Sequence, residues 1–429
     1  MRAHVWLFLA ALGATCGLTA PAAQAFCGFY VARADGELFN KASTVVYTRV
    51  NDTSVITMSS DYRGAAAEFA MIVPTPGVLE RSQVTTVPQA TVAHLDRYTA
   101  PRLVEYFDGD PCEEIVLYET VVAEPEVGNA PSRKERRDGA RALGVTIERE
   151  FAVGSYDIQM LSARQSDGLA TFLRGEGYTL PEGAEGALEG YVRGGMKFFV
   201  ARVNLSRHSA EATQELEPLQ IRFRSKEFML PIQLGKLNGN GPQDLIVMAL
   251  TRKGRVALTN YTTRDIPSDV NVPVFVGQVF PQFYRAMFDT AAGKNGAFLE
   301  YAWDMAWCDP CADDPLTHAE FQQLGVSWVR KAEVATPNVF VTRLHIRYGP
   351  DSFYEDLKFA VTENRENFQG RYIMNHPFDG EITCDAGKTY VAETRQRIKD
   401  EAAALRQLTG WSASNIASNI AKTVPRRYR

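Results

Sequence analysis

The first 25 residues constrain this chain more than any other stretch. Arg2 supplies a positive start, Val5–Leu12 (VWLFLAAL) an apolar core, and Ala23-Gln24-Ala25 a small-residue cleavage site. Gly13, Gly17 and Pro21 interrupt the apolar stretch before it can comfortably span a bilayer. The pattern therefore reads as a leader cut between Ala25 and Phe26. Gly13-Ala14-Thr15, ahead of Cys16, lacks the leucine-led pattern of a lipoprotein site. No later run approaches the roughly 18 apolar residues of a membrane helix. The expectation is an exported protein, periplasmic or extracellular, with no transmembrane segment once the leader is removed.

Export also sets the fate of the cysteines. Loss of Cys16 leaves Cys27, Cys112, Cys308, Cys311 and Cys384, an odd set, and an oxidising compartment pairs such residues by default. Connectivity is not written in the spacing. The expected pairs are Cys27–Cys112, and Cys384 with either Cys308 or Cys311.

With 45% hydrophobic and 23% charged residues in 429, the chain is a folded protein of two or three domains. A formal charge of −5, more negative still without Arg2, argues against a nucleic-acid partner, which calls for a clustered positive field. After the leader (1–25), an N-terminal α+β unit is expected over 26–123, a charged linker over 124–141, a larger α+β domain over 142–388, and a C-terminal helix with a basic tail over 389–429, frayed after Trp411.

Within the first unit, Thr44–Val50 and Ser54–Ser60 are β-rich runs split by a turn at Asn51-Asp52-Thr53, and Phe69–Val73 is a buried strand stopped by Pro74. Val92 and Leu95 begin a helical spacing, and Pro101 suggests a further helix carrying Leu103, Val104 and Phe107. The linker holds a basic cluster, Arg133, Lys134, Arg136 and Arg137, read as a solvated loop. Later strands include Lys197–Leu205, Leu219–Arg224 and Leu245–Leu250. In the last helix Val391, Thr394, Ile398, Ala402, Leu405 and Leu408 share one face and Gly410 ends it. Runs of strands interrupted by helices indicate α+β, with antiparallel or mixed sheets and a long C-terminal helix.

Several segments invite a chemical reading. Trp307-Cys308-Asp309-Pro310-Cys311 echoes the order of thioredoxin-like motifs, but Asp309, Asp313 and Asp314 oppose a stabilised thiolate, and the next helix starts later, where Thr317 and Glu320 form a capping box. A structural disulfide is the plainer expectation. Asp309, Asp313 and Glu320 match some positions of a calcium loop, but Asp314 stands where that loop needs glycine. Leu299, Tyr301, Trp303, Met305 and Trp307 alternate along a strand. Their aromatic face could be a ledge for a glycan or peptide, although core packing accounts for it more economically. Arg343, His345 and Arg347 form a basic row, as do Arg222, Arg224 and Lys226; either could grip an anion, but solvated outer sheet faces are the simpler reading. The histidines show no local metal spacing, and no nucleophile elbow or phosphate loop occurs, so no metal and no cofactor are expected.

The segments FCGFYVARADGELFNKAS (26–43), YTAPRLVEYFD (98–108), DPC (110–112), LPIQLG (230–235), LTRKGRVALTNY (250–261), WCDPCADDPL (307–316) and LRQLTGW (405–411) resemble, in order, the secreted bacterial family known as domain of unknown function 2330. The resemblance implies an exported protein carrying these cysteines, and it brings no activity or catalytic residue. The leading expectation is a non-catalytic envelope or secreted protein that binds another protein or a glycan. The alternatives are a thiol–disulfide oxidoreductase using Cys308 and Cys311, and a hydrolase whose site is assembled from distant residues.

Overall fold

A computed structural model describes residues 29–33, 39–63, 69–112, 144–204, 216–238, 242–310 and 312–429. The leader, Cys27, Cys311, the 124–141 segment and its basic cluster lie outside these residues.

The sheets form because long runs are apolar on both faces. In Gln243–Thr251, Leu245, Val247 and Ala249 enter one core while Ile246, Met248 and Leu250 enter another. This strand is the centre of a nine-stranded mixed sheet. Its main path runs Thr263–Asp265, Gly296–Asp304, Phe340–Tyr348, Gln243–Thr251, Phe39–Val50, Thr53–Arg63, Leu219–Arg224, Val84–Thr86, and Phe368–Gln369 pairs beside Gly296–Asp304. The expected hairpin is present, with Asn51 at φ +50° in its turn. A six-stranded sheet, Val145–Val153, Tyr156–Ala163, Lys197–Val203, Phe69–Thr75, Phe29–Arg33 and Tyr178–Thr179, packs face to face on the first. Strands from both sides of the 124–141 segment share these sheets, so the hydrogen-bonded framework crosses the boundary placed at 123.

Helices cover the outer faces. Helices α1 (Gln89–Thr99), α2 (Ser166–Gly175), α3 (Ala184–Arg193), α4 (Phe280–Ala292), α5 (His318–Gln323), α6 (Asp385–Thr409) and α7 (Ala413–Thr423) are the α-helices among the described residues. Leu169, Leu173 and Leu188 of α2 and α3 seal the six-stranded sheet. On the larger sheet α1 and α5 build one apolar cluster, and α4, α6 and α7 build another beside it. The fold is thus α+β with mixed and antiparallel sheets and a long C-terminal helix. No helix among the described residues is long and apolar enough to cross a membrane.

Two local expectations are corrected. Arg102–Phe107 is a strand, paired in parallel with Arg371–His376, because Ala100 ahead of Pro101 is already extended and ends α1 there. The residues after Trp411 are not a frayed tail. Ile416 and Ile420 of α7 and the fully buried Tyr428 pack into the α4–α6 cluster, which gives this short basic segment its order.

Candidate functional site

The chemistry-bearing side chains gather on the helical side of the larger sheet, and a bulge places them. Gly296–Asp304 pairs antiparallel with Phe340–Tyr348, with Phe298 opposite His345, Leu299 opposite Leu344, and then Tyr301 opposite Arg343. Glu300 is the extra residue, so the alternation breaks there. Leu299 and Ala302 face the inter-sheet core, whereas Glu300 and Tyr301 both contact the helical side. Gly370 donates its N–H to the Glu300 carbonyl at 2.7 Å; a Cβ there would approach that oxygen to 3.1 Å, so the position favours glycine.

The basic row expected on a solvated face is a buried ionic seam. Glu300, its side chain 1% exposed, accepts from Arg343 Nε and His345 Nδ1, each at 2.6 Å, and from the Tyr284 hydroxyl of α4. Arg343 also donates to Asp96 of α1 at 2.6 Å. Arg347 grips Asp244 through two bonds of 2.7 Å and reaches Asp289 of α4 at 2.6 Å. Phe288 stacks on the His345 ring at 3.6 Å. These residues are buried because opposite charges from α1, α4 and the adjacent strand complete them, a condition that a count along one strand does not display.

Burial by itself would raise the Glu300 carboxyl, but the His345 and Arg343 charges outweigh it and bring it down to about 2. Asp244 falls to about 2 in the same way, burial being overcome by the two Arg347 bonds and by the nearby His345 charge, whose Nε2 stands 3.7 Å off. Burial pushes His345 down, and the Glu300 charge with Asp244 more than reverses that, so the imidazolium is favoured. The Tyr284 hydroxyl is raised well above its ordinary value by burial and by the Glu300 charge. The acid–base groups of the seam neutralise one another beneath helices. Its evident work is to stitch α1 and α4 to the sheet.

The aromatic residues do not form one surface with that row. Tyr301 is fully buried and donates to Asp309 at 2.9 Å. Trp303 is half-buried and donates to the Trp307 carbonyl at 3.0 Å, while Trp307 itself is 68% exposed. The carboxylates of the calcium-like reading are taken by separate partners: Asp309 by Tyr301 and Gln369, Asp313 by Arg97 at 2.7 Å, and Glu320 by the Thr317 cap and by His94 at 2.6 Å. The capping box and the late start of α5 are as expected. Among the described residues no group of three His, Cys, Asp or Glu side chains is placed to hold a metal ion.

The cysteine pairing is corrected. Cys112 joins Cys384, across 272 residues and with Cα atoms 5.8 Å apart, in place of the expected Cys27–Cys112 and Cys384–Cys308 or Cys384–Cys311 bridges. Cys308 is an exposed free thiol. Cys384 is the N-cap of α6, its sulfur accepting the Gly387 N–H at 3.3 Å, so the bond staples the start of that helix to the chain just past Arg102–Phe107. Asp108 reinforces the joint, accepting from Arg397 at 2.7 Å and from Tyr390 at 2.6 Å.

Along the stapled helix lies a feature that sequence reasoning missed. A cleft of about 610 Å³ separates α6 from the short strand Val270–Asn271, lined by Asp269, Glu393, Gln396, Arg397, Asp400, Glu401 and a few smaller residues. Glu401 is buried, its side chain 4% exposed, and its Oε1 has no hydrogen-bond partner. The nearest cation, Arg397 Nε, stands off at 3.6 Å, beyond bonding distance. Burial lifts the Glu401 carboxyl to about 7 despite Arg397, with Asp108 and Asp400 adding to the rise. The available signal was the spacing of the buried residues Thr394, Ile398, Glu401 and Leu405, which sets a glutamate on the apolar stripe.

No curated protein and no solved structure matches the chain. A family model matches residues 21–360, a span that includes the whole seam and stops short of α6. The chain therefore belongs to the family described as an uncharacterized protein conserved in bacteria, DUF2330.

Proposed function

We propose that this is an exported, non-catalytic protein of the bacterial envelope or its surroundings, whose α+β body binds a protein or a glycan. The observation that carries the reading is the Cys112–Cys384 bond, because a structural disulfide persists where thiols are kept oxidised. It agrees with the leader-like first 25 residues. The seam supports a binding role over a catalytic one, since Glu300 and Asp244 are committed to protein partners and His345 gives its Nδ1 to Glu300 beneath α4. Exposed Trp307 beside half-buried Trp303 offers an aromatic edge to a sugar ring or an apolar side chain.

Mass spectrometry of the protein from fractionated native cells tests this. The expected material starts at Phe26, lies in the periplasm or medium, and carries a Cys112–Cys384 linked peptide. Intact Met1 on cytosolic protein with both cysteines reduced overturns export, and a covalent intermediate or turnover product overturns the non-catalytic part.

A further inference from the structure

We infer that a strip of arginines at one end of the larger sheet binds an acidic polysaccharide through the carboxylates of its uronic acid units. The inference rests on the binding role proposed above and gives it a surface and a ligand class.

Strand register builds the strip. Ile221 and Phe223 enter the inter-sheet core, so Arg222 and Arg224 project from the opposite, helical side. Arg222 pairs with Val55 and Arg224 with Thr53, and Thr53 pairs in turn with Val50. Leu250 is level with Thr48, so Arg252, two residues on, comes out level with Val50 on the same side. Arg252 and Arg224 therefore flank Val50 and Thr53, three strand spacings or roughly 14 Å apart along the backbone row. The loop after α5 covers only the inner row, where a Cβ on Gly325 would stand 2.7 Å from Val55 Cγ1. Arg222, Arg224 and Arg252 are left exposed.

These cations are available, unlike those of the seam. Among the described residues no carboxylate pairs with any of the three. Glu333, the acidic group that feels the Arg252 charge, is bonded to Arg330 at 2.8 Å. The Arg252 guanidinium lies over the Trp328 ring at 5.2 Å, a stacking that fixes its plane and leaves its N–H edge for a ligand. Asp52, exposed in the turn between Val50 and Thr53, is the opposing charge at this end of the sheet.

Planar guanidinium forks match carboxylates through paired bonds. The three arginines lie in a line that an extended chain follows along its length, which favours a polymer over a small anion. Between the cationic ends, Thr53 and the exposed Ser327 offer hydroxyls to the neutral parts of sugar rings that separate successive carboxylates. A cationic ligand is repelled here, and a neutral glycan leaves three guanidiniums without counter-charge.

The test is calorimetric titration of the full oxidised chain, at low salt, with hexamers of galacturonic acid and of mannuronic acid. The controls are the neutral methyl ester of each hexamer, hexaglutamate, and a linear polyphosphate of similar charge. Saturable binding of at least one uronate is expected, lost on esterification and weakening as salt rises. Arg222→Gln combined with Arg224→Gln is expected to weaken it roughly tenfold, and Arg252→Gln roughly fivefold, since each removes charge-assisted bonds. Asp52→Asn is expected to tighten it roughly twofold by removing a like charge. All these positions are exposed, so each variant should keep the cooperative thermal transition of the parent. Binding of neither uronate, equal binding by the double arginine variant, equal binding of the methyl esters, or tighter binding of hexaglutamate or polyphosphate overturns the inference. Failure of both uronates on a protein that is still exported and disulfide-linked removes only this inference, whereas reduced cytosolic protein removes the export reading and leaves the chemistry of the strip standing.

Discussion

Glu300 and Glu401 are both buried glutamates, yet one is held near a pKa of about 2 and the other near 7. Glu300 sits among Arg343, His345 and Tyr284, each within bonding reach of its carboxylate. Glu401 is also buried, but its one nearby cation, Arg397, stands too far off to bond. Burial alone does not decide the state of a carboxyl group; burial relative to donors does. In the seam the Glu300 carboxylate takes three donors, with only His345 Nε2 left without a partner, whereas under α6 the Glu401 Oε1 and the Arg397 Nε lie 3.6 Å apart and neither makes a hydrogen bond.

The two sites give stability of opposite pH dependence. The depressed carboxyl of Glu300 contributes stability that is present above its ordinary value of 4.5 and is lost as pH falls toward 2. The raised carboxyl of Glu401 contributes in the reverse sense. The folded protein keeps that proton where the unfolded chain has released it, so its contribution is full below 4.5 and lost as pH rises through 7. The raised His345 adds stability below its ordinary 6.5 that disappears as pH climbs through its folded value.

The contrast is most directly broken at the seam. Glu300→Gln leaves Arg343 and His345 without their shared counter-charge, and a loss of about 3–5 kcal/mol is expected from urea unfolding at pH 7. A loss under about 1 kcal/mol would show that the Glu300 carboxylate is no better bonded than that of Glu401. Next in size, Cys112→Ser combined with Cys384→Ser is expected to cost about 2–4 kcal/mol, because the bond constrains a very long loop of the unfolded chain. Hydrogen exchange should then rise in the first turns of α6 while Phe340–Tyr348 stays protected, and equal loosening of both would erase the distinction between the two regions. Glu401→Gln is expected to stabilise by on the order of 2 kcal/mol at pH 8, a gain that fades by pH 5 where the wild-type carboxyl is protonated. A thermal shift of the same size at both pH values would mean that Glu401 is not the titrating group. Smallest of all, Trp307→Ala, at an exposed position outside both sites, should change stability by less than about 0.5 kcal/mol.

Much of the local structure was legible. The apolar run within Gln243–Thr251, the Asn51-Asp52 turn, the Thr317–Glu320 capping box and Gly410, which takes φ +69° at the end of α6, all depend on neighbours close in sequence. The outward-facing Arg222 and Arg224 were read correctly for the same reason, since their strand alternates cleanly with Ile221 and Phe223. Arg343 and His345 follow the same alternation and were read as solvated. Nothing in their own strand announces Asp96, 247 residues away, or the α4 side chains that cover them. The period of two across 299–307 failed because the bulge at Glu300 is held by Gly370, again distant in sequence.

The amino-acid order by itself determined the α+β character, the strands apolar on both faces, the helix ends, and the resemblance that the family match upholds, since these follow from propensity, periodicity and local motif. Only the tertiary structure decided which cysteine meets Cys384, which basic row is buried, and which glutamate holds its proton. Those outcomes turn on charges and sulfurs brought together across hundreds of residues, in surroundings where water no longer screens them.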